Sequence, residues 1–279
     1  MAKLVHHIDQ RLLDRRVIIH IAGIGGNGAQ MAACLARLDI AIKALGHPHG
    51  LHVHAFDPDA VTEANVGRQL YSPADIGSSK AAITITRLNH FYGLDWEASI
   101  CRVEDFWSRL DYRRGHVADI LISCVDTRAA RLTIHEYLFS GDRYRYWLDL
   151  GNNEHDGQVV LGVPGRPNAG CRAENAERMP CVTELYPELL AADQPEDSAP
   201  SCSVRLSLAA QGLFINDVIV RHAAHLLYEL FSRGQLSQHG VVCNLDSKRT
   251  VPIAIQRDGT QSPACQAPTA SLHGRMSGS

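Results

Sequence analysis

Two short stretches of this chain carry the residue types that bind phosphate and ribose. The first, residues 17–31, is an apolar, β-branched run that leads into four glycines: Gly23, Gly25, Gly26 and Gly28. The second, residues 52–80, begins with an apolar run that ends at Asp57 and continues into polar and basic residues: Asp59, Asn65, Arg68, Gln69 and Lys80. A strand, a glycine-rich turn, a helix and a second strand ending in a carboxylate are typical of a nucleotide-binding βαβ unit.

The glycine cluster allows the backbone to approach phosphate, and the helix after it supplies N–H donors and a partial positive charge. Such clusters also serve NAD and FAD, so this one does not select a nucleotide by itself. Asp57 follows the second strand, where a carboxylate accepts hydrogen bonds from ribose hydroxyls. The alternative for Asp57 is a turn aspartate before Pro58.

The polar residues after Asp57 favour ATP over a dinucleotide. Arg68 offers planar, bidentate contacts to phosphate, and Lys80 adds a compact positive charge. Asn65 and Gln69 stand between them, and an ordinary dehydrogenase does not need such a group of residues. An enzyme that binds the triphosphate of ATP does.

Asp126 ends the central buried strand, DILISCVD. Open α/β sheets bind ligands at the carboxyl ends of their strands, and a carboxylate beside a triphosphate usually holds Mg²⁺. The alternative is an N-cap for a helix that begins at Thr127, and the two roles can coexist.

The alternation of strands and helices predicts an α/β, Rossmann-like fold, with a mainly parallel sheet and helices on both faces. We predict a nucleotide-binding core over residues 1–163 and a long crossover loop over residues 164–202, of a kind that is often functional. Residues 203–257 are predicted to complete the same domain with a long helix over 203–234 and antiparallel edge strands. The polar residues 258–279 are predicted to be a disordered tail.

Composition excludes several classes of protein. The 279 residues are 45% hydrophobic with a net charge of −3, which gives no electrostatic argument for binding nucleic acid. No apolar run approaches the roughly 20 residues that span a membrane. The N-terminal residues lack the apolar core of a signal peptide, so we expect a cytoplasmic protein with reduced thiols. None of the eight cysteines forms a C-x-x-C pair, which argues against structural zinc.

The run Asp57-Pro-Asp59-x-Val61-x-x-x-Asn65-x-x-Arg68-Gln69 resembles the signature of the ThiF/MoeB/ubiquitin-activating superfamily. The resemblance covers residues 17–162 in order. It includes Asp75-Ile-Gly77-x-x-Lys80-Ala and Asp126-Thr-x-x-x-Arg131. The later residues PSCS…QGLFIN…GVVCNL are similar to the ThiF-related protein of the PRTRC cassettes of bacterial plasmids.

The resemblance implies ATP-dependent adenylation of the C-terminal carboxylate of a small ubiquitin-like or sulfur-carrier protein, usually one that ends in glycine. It also implies a role for each site residue. Asp57 would bind ribose and Asp126 would hold Mg²⁺. The phosphates would be bound by Asn65, Arg68 and Lys80, with Gln69 and Asp59 completing the loop that carries them.

The sequence departs from the family in three places. The two zinc-binding cysteine pairs of many members are missing. The N-terminal helix whose arginine reaches a partner's site in a homodimer is short or absent, and three arginines compete to replace it: Arg11, Arg15 and Arg16. The cysteine that would form a thioester is also ambiguous. Cys202 precedes the predicted long helix, whose N-terminus lowers a thiol pKa, and Cys181 in the same loop is the competitor.

Several alternatives remain open at this point. A tRNA-modifying adenylase of the same superfamily would need a basic face, and a catalytically silent scaffold would not need Arg68, Lys80 and Asp126. An NAD- or FAD-dependent oxidoreductase leaves Asn65 and Gln69 unexplained. A surface metal at His52 and His54, with His47 and His49 nearby, has no catalytic reason behind it.

Overall fold

The computed structural model describes residues 4–110, 117–165, 177–190 and 212–257. Twelve strands lie in this part of the chain: β1 (His6–His7), β2 (Val17–Ala22), β3 (Leu51–Phe56), β4 (Glu97–Ser99), β5 (Ile120–Ser123), β6 (Tyr146–Asn152), β7 (Asp156–Gly162), β8 (Glu177–Arg178), β9 (Gln235–Leu236), β10 (Gln238–Asn244), β11 (Arg249–Ala254) and β12 (Gln256–Arg257). The described α-helices are α1 (Arg11–Asp14), α2 (Gly26–Ala44), α3 (Lys80–Tyr92), α4 (Val103–Trp107), α5 (Arg128–Phe139), α6 (Val182–Leu185) and α7 (Ile215–Arg233).

Eight of these strands form one sheet in the order β11-β10-β7-β6-β5-β2-β3-β4. The five strands from β6 to β4 are parallel, and β7, β10 and β11 continue the sheet in antiparallel fashion. The predicted Rossmann-like fold, with its parallel sheet and antiparallel edge strands, is therefore confirmed. The carboxyl ends of β3, β2, β5 and β6 lie side by side at one edge of the sheet, where such folds bind ligands.

The central strands are apolar because both faces of the sheet are covered. Ile19 and Ile21 of β2 and Ile120 and Ile122 of β5 have no exposed surface. Helix α2 packs against α3 and α7, which explains why its buried residues extend around more than one face. A helix that is buried on more than one face has apolar residues all around it, so the sequence of α2 is rich in alanine and leucine and shows little amphipathic periodicity.

The helix ends follow local sequence signals. Ser79 caps α3 by accepting a hydrogen bond from the backbone N–H of Ala82. Gly93 ends the same helix in the left-handed conformation, with φ of 67°.

Two features differ from the sequence predictions. Helix α7 begins at Ile215, whereas the predicted helix ran through Gly212, and the N–H of Gly212 instead donates to the carbonyl of Glu154. Residues 203–211 lie outside the described part, as do most of residues 164–202 and all of 258–279. The sequence predictions also did not include β7, which forms a hairpin with β6 and pairs with β10 on its other side.

Three buried polar side chains, Trp107, Tyr144 and His20 of β2, are joined by hydrogen bonds. The indole N–H of Trp107 donates to the Tyr144 hydroxyl, which is hydrogen-bonded to Nδ1 of His20 at 2.8 Å. Rings of Phe56 and Phe106 pack edge-on against His20. Burial lowers the pKa of His20 to about 3, so the folded protein holds this imidazole neutral.

No helix in the described ranges is long and apolar enough to cross a membrane.

This neutral histidine predicts a specific loss of stability in acid. The pKa of His20 is lower in the folded than in the unfolded chain, so its contribution is intact at neutral pH and is lost as the pH falls toward 3. With an unfolded pKa of about 6.5, the loss between pH 7 and pH 5 is about 2 kcal/mol. His20→Asn should reduce the fall in unfolding free energy over this range by that amount, as measured by urea denaturation.

The exposed His49 supplies the control, since His49→Asn should leave the pH dependence of the wild type unchanged. An equal loss of stability on acidification in wild type and His20→Asn would show that His20 does not cause it.

Candidate functional site

A glycine turn joins β2 to α2 and is compressed against its surroundings. Gly23 adopts a φ of 89°, and a Cβ on it would lie 2.8 Å from the carbonyl oxygen of Cys124. A Cβ on Gly28 would lie 1.9 Å from the carbonyl oxygen of Gly23. Side chains at these two positions would therefore push α2 away from the strand. Their absence lets the first turn of the helix, with its N–H donors, stand directly over the end of β2.

Asp57, just after β3, ties this turn to the neighbouring strand. Its Oδ2 accepts the N–H of Ile24 at 2.5 Å, and its Oδ1 accepts the N–H of Asp59 at 2.8 Å. Burial raises the pKa of Asp57, and these two hydrogen bonds oppose that rise. The carboxylate keeps acceptor capacity on both oxygens beyond these bonds, so ribose hydroxyls can still donate to it.

The loop after Asp57 carries Asn65 and precedes Lys80. The Oδ1 of Asn65 accepts hydrogen bonds from the backbone and hydroxyl of Thr62, which caps the short 3-10 turn Glu63–Asn65. The ammonium of Lys80 is largely buried and lies 3.0 Å from Oδ2 of the exposed Asp59. Because Asn65 uses its oxygen locally, its amide nitrogen is the group suited to an anion.

Arg68 and Asp126 come from different parts of the chain and interact electrostatically. Burial lowers the pKa of the Arg68 guanidinium, and the negative charge of Asp126 opposes that shift, which places the two groups within electrostatic reach. Gln69 lies over the glycine turn, with Nε2 3.7 Å from the position of a Cβ on Gly25. The loop after β3 and the end of β5 thus close over the turn.

Asp126 itself is exposed and does not cap the following helix. The hydroxyl of Thr127 accepts the N–H of Ala130 at 3.2 Å, and α5 begins at Arg128. The alternative role of Asp126 as an N-cap is therefore wrong, because Thr127 makes that bond.

A buried brace holds the backbone beside Asp126. Arg131 donates to the carbonyl of Val125 at 2.9 Å, and its Nε lies 3.2 Å from Oδ1 of Asp149. The same Asp149 oxygen accepts the hydroxyl of Ser123 at 2.5 Å. The sequence resemblance included Arg131 but did not indicate Asp149 or Ser123, which join β5 to β6.

Tyr71 is a third residue of the site that the sequence did not indicate. Its hydroxyl donates to the carbonyl of Ile24 at 2.6 Å and is 3.2 Å from the hydroxyl of Thr84. Burial raises its pKa well above the ordinary tyrosine value, so it remains a neutral donor. Its position directly after the polar loop is the one sequence signal that could have drawn attention to it.

Most of the predicted site residues come together at the carboxyl edge of β3, β2 and β5. These are the four glycines of the turn with Asp57, Asp59, Asn65, Arg68, Gln69, Lys80 and Asp126. Cys202 lies outside the described residues. Cys181 has no exposed surface, and its backbone N–H donates to Glu184 at 2.7 Å to cap α6. A reaction at the Cys181 thiol would first require that thiol to become exposed.

The three candidate arginines near the N-terminus lie at the opposite, amino edge of the sheet. Arg11 pairs with Asp9 at 2.7 Å, Arg15 pairs with the buried Asp119, and Arg16 pairs with Asp95. Within one protomer these arginines are therefore remote from the glycine turn.

The histidines near β3 do not form a metal site in the described part of the chain. No group of three or more histidine, cysteine, aspartate or glutamate side chains able to hold a metal occurs there. His54 is instead hydrogen-bonded through Nε2 to the Ser99 hydroxyl at 2.8 Å, and Nε2 of His47 donates to the carbonyl of Leu12. A single carboxylate such as Asp126 suits Mg²⁺, which commonly takes one or two carboxylates together with phosphate oxygens and water.

The fold and its glycine turn define a Rossmann-like α/β protein. More narrowly, residues 2–266 match the ThiF family, and the chain belongs to that family. The chain is 28% identical over 166 residues to ubiquitin-like modifier-activating enzyme 5 of Rattus norvegicus, covering 54% of this chain and 38% of that protein. It is 30% identical over 168 residues to the enzyme of the same name from Drosophila sechellia, covering 56% and 38%.

Solved structures show the same fold over most of the chain. E. coli MccB superposes with a TM-score of 0.55 at 15% identity, covering 93% of this chain and 68% of MccB. MccB crystallised with ATP gives 0.53 at 16% identity, covering 88% and 66%. PaaA gives 0.53 at 14% identity, covering 86% and 64%. At these identities the likeness concerns the fold.

The compressed turn leads to a direct test with two glycines. Gly28→Ala should reduce the unfolding free energy by at least about 2 kcal/mol, because its Cβ overlaps the Gly23 carbonyl and the helix must shift. Gly25→Ala is the matched control, since its Cβ would make only an ordinary contact with Gln69. Urea denaturation measures both, and equal stability of the two variants would contradict this account of the turn.

The cap assignment separates the two neighbouring residues Asp126 and Thr127. Thr127→Ala should cost about 1 kcal/mol of stability because it removes the N-cap acceptor. Asp126→Ala should change stability by less than about 0.5 kcal/mol because that side chain is exposed. Thermal or urea denaturation of both variants gives the comparison, and the reverse order of effects would return the capping role to Asp126.

Proposed function

We propose that this chain is an adenylating enzyme that uses ATP and Mg²⁺. Its substrate would be the C-terminal carboxylate of a small ubiquitin-like or sulfur-carrier protein that ends in glycine. The observation that carries the proposal is that Gln69 and the backbone of Cys124 and Val125 close on the glycine turn, which brings their chain neighbours Arg68 and Asp126 to the same edge of the sheet. A guanidinium, a metal-binding carboxylate and a helix N-terminus converging on one place suit a triphosphate.

Each residue has a role that follows from its position. Asp57, fixed by the N–H groups of Ile24 and Asp59, accepts hydrogen bonds from ribose hydroxyls. Asp59 orients the ammonium of Lys80. Lys80 and Arg68 bring positive charge next to the phosphates. The N–H groups at the start of α2 would lie close to the phosphate oxygens, because no side chain stands at Gly25 to keep them apart.

The chemistry needs charge stabilisation more than proton transfer. A carboxylate oxygen of the substrate attacks the α-phosphorus of ATP, the bond to the bridging oxygen breaks, and pyrophosphate leaves with the electron pair. Negative charge accumulates on phosphate oxygens during this step, and fixed cations lower its cost. When bound at Asp126, Mg²⁺ would neutralise part of that charge. Arg131 and Asp149 contribute indirectly by holding the backbone next to Asp126.

The relatives support the type of reaction. Two are named as ubiquitin-like modifier-activating enzymes. MccB has been crystallised with ATP. A second structure shows MccB, a microcin C7 biosynthetic enzyme, in complex with N-formylated MccA. Activation of the carboxyl end of a small protein or peptide accords with both. The aligned region spans 38% of each activating enzyme, so substrate and partner are proposals for this chain.

Four finer assignments belong to the same proposal. The similarity of PSCS…QGLFIN…GVVCNL supports a ThiF-related protein of a plasmid PRTRC cassette, in the cytoplasm. Residues 203–257 would complete one domain with residues 1–163, since β10 pairs with β7. A homodimer would let an N-terminal arginine, remote from its own site, reach a partner's site. Thioester formation on Cys202 would be a step after adenylation.

Asp126 provides the decisive test. Asp126→Asn should lower pyrophosphate exchange by about 10²-fold, because the charge that holds Mg²⁺ at the developing negative charge is lost. The assay uses ATP, Mg²⁺ and a ubiquitin-like protein that ends in glycine as the acyl substrate. Glu136→Gln removes an exposed carboxylate from α5 and serves as the matched control, with exchange expected at the wild-type rate.

Calorimetry of the wild type completes this test. ATP should bind more tightly with Mg²⁺ than without it, and NAD should bind weakly. Tighter binding of NAD than of ATP would contradict the proposed nucleotide. Wild-type exchange in Asp126→Asn would remove Asp126 from the reaction, and the absence of exchange in wild type would favour a silent scaffold.

A further inference from the structure

The order of the strands indicates from which side the acyl substrate approaches ATP. Along the carboxyl edge of the sheet, Asp57 follows β3, the glycine turn follows β2 and Asp126 follows β5. If ribose lies at Asp57 and the α-phosphate near Asp126, the nucleotide occupies the β3 side of this edge. The next strand beyond β5 is β6, which ends at Asn152. The substrate carboxylate therefore reaches the α-phosphate along the β6 side.

Two buried carboxamides lie on that side, each with one unused polar atom. Asn27, in the first turn of α2, donates from Nδ2 to Oδ1 of Asn152 at 2.7 Å, but its own Oδ1 has no hydrogen-bond partner in the described structure. Asn216, in the first turn of α7, is 1% exposed, and its Nδ2 has no hydrogen-bond partner there either. One atom is an acceptor and the other is a donor.

Both carboxamides are attached to the glycine turn. A Cβ on Gly26 would lie 2.4 Å from Nδ2 of Asn216, so the Asn216 side chain packs directly on the first residue of α2. Gln30 of α2 also reaches Asp217 of α7 at 3.3 Å. The starts of α2 and α7 are thus joined by polar side chains at the point where ATP and acyl substrate must meet.

A buried polar atom without a hydrogen-bond partner destabilises the folded protein. Leaving a buried donor or acceptor without a partner costs about 1–3 kcal/mol, and most buried polar groups are paired for that reason. A ligand that supplies one acceptor and one donor would satisfy both atoms. A peptide unit supplies this combination, because its carbonyl accepts and its N–H donates.

We propose that Asn27 and Asn216 are positioning residues that bind the last peptide unit of the substrate's C-terminal tail. Asn216 Nδ2 donates to the peptide carbonyl, and Asn27 Oδ1 accepts the peptide N–H. This inference rests on the proposed function and adds to it the residues that recognise the tail. Recognition through the backbone alone favours a tail whose last residues are glycines, since a side chain adds nothing to these two bonds.

The burial of the two atoms has a consequence for the order of events. The tail must part the contact between Gly26 and Asn216 before it reaches them. Leu213 and Phe214, just before α7, are 40% and 65% exposed and supply apolar surface beside the entering chain. On this assignment ATP alone makes no hydrogen bond to either carboxamide side chain.

A pair of adenylate mimics tests the proposal without the natural partner. The first is acetyl-glycyl-glycyl-sulfamoyladenosine, and the second replaces the N–H between the two glycines with an ester oxygen. The wild type should bind the amide about tenfold more tightly than the ester, as expected for one buried hydrogen bond. Calorimetry measures both mimics and ATP.

Two variants assign the bonds. Asn27→Ala should bind the amide and the ester mimics equally, because the acceptor of the N–H is gone. Asn216→Leu should bind both mimics about tenfold more weakly while keeping the difference between them. ATP affinity is measured for each variant, and the affinity of each mimic is compared relative to it.

The outcomes separate the inference from the function on which it rests. Equal binding of amide and ester by the wild type overturns the inference even when both bind tightly, and the proposed adenylation then stands. An amide preference that survives in Asn27→Ala also overturns it. Failure of the wild type to bind ATP and both mimics overturns the proposed function, and the inference with it.

Discussion

The close approach of α2 to the end of β2 is the constraint on which the rest of the site depends. A Cβ on Gly28 would overlap the Gly23 carbonyl at 1.9 Å, so the first turn of the helix can stand over the strand only without side chains there. Three neighbours then fix the turn: Asp57 and Tyr71 bind the two polar groups of Ile24, and the Cys124 carbonyl closes on Gly23. The N–H groups of α2 are consequently held in place before any anion arrives.

Buried hydrogen bonds also fix the ends of the neighbouring strands relative to the glycine turn. Arg131, Asp149 and Ser123 join the ends of β5 and β6 and hold the backbone beside Asp126. Asn27 makes a comparable link from α2 to Asn152 at the end of β6. A charged group that must act on phosphate is exposed and mobile by itself, so its accuracy comes from the buried groups behind it.

Much of the fold could be predicted because its signals are local. Apolar β-branched runs identified β2 and β3, Ser79 and Gly93 marked the ends of α3, and spacing brought Asn65, Arg68 and Lys80 together after one strand. The start of α7 could not be predicted in this way. Residues before Ile215 have helical composition, but the N–H of Gly212 bonds to Glu154 in the distant hairpin of β6 and β7.

The sequence by itself determined the βαβ unit and the glycine turn, and it identified the residues that we propose to bind the nucleotide, since each depends on residues close together in the chain. The tertiary structure decided that Thr127 rather than Asp126 caps α5, and that Arg68 lies within reach of Asp126. It also decided that Cys181 is buried and that Asn216 packs on Gly26. These outcomes depend on contacts between segments far apart in the chain, which are fixed only when the sheet and its helices pack.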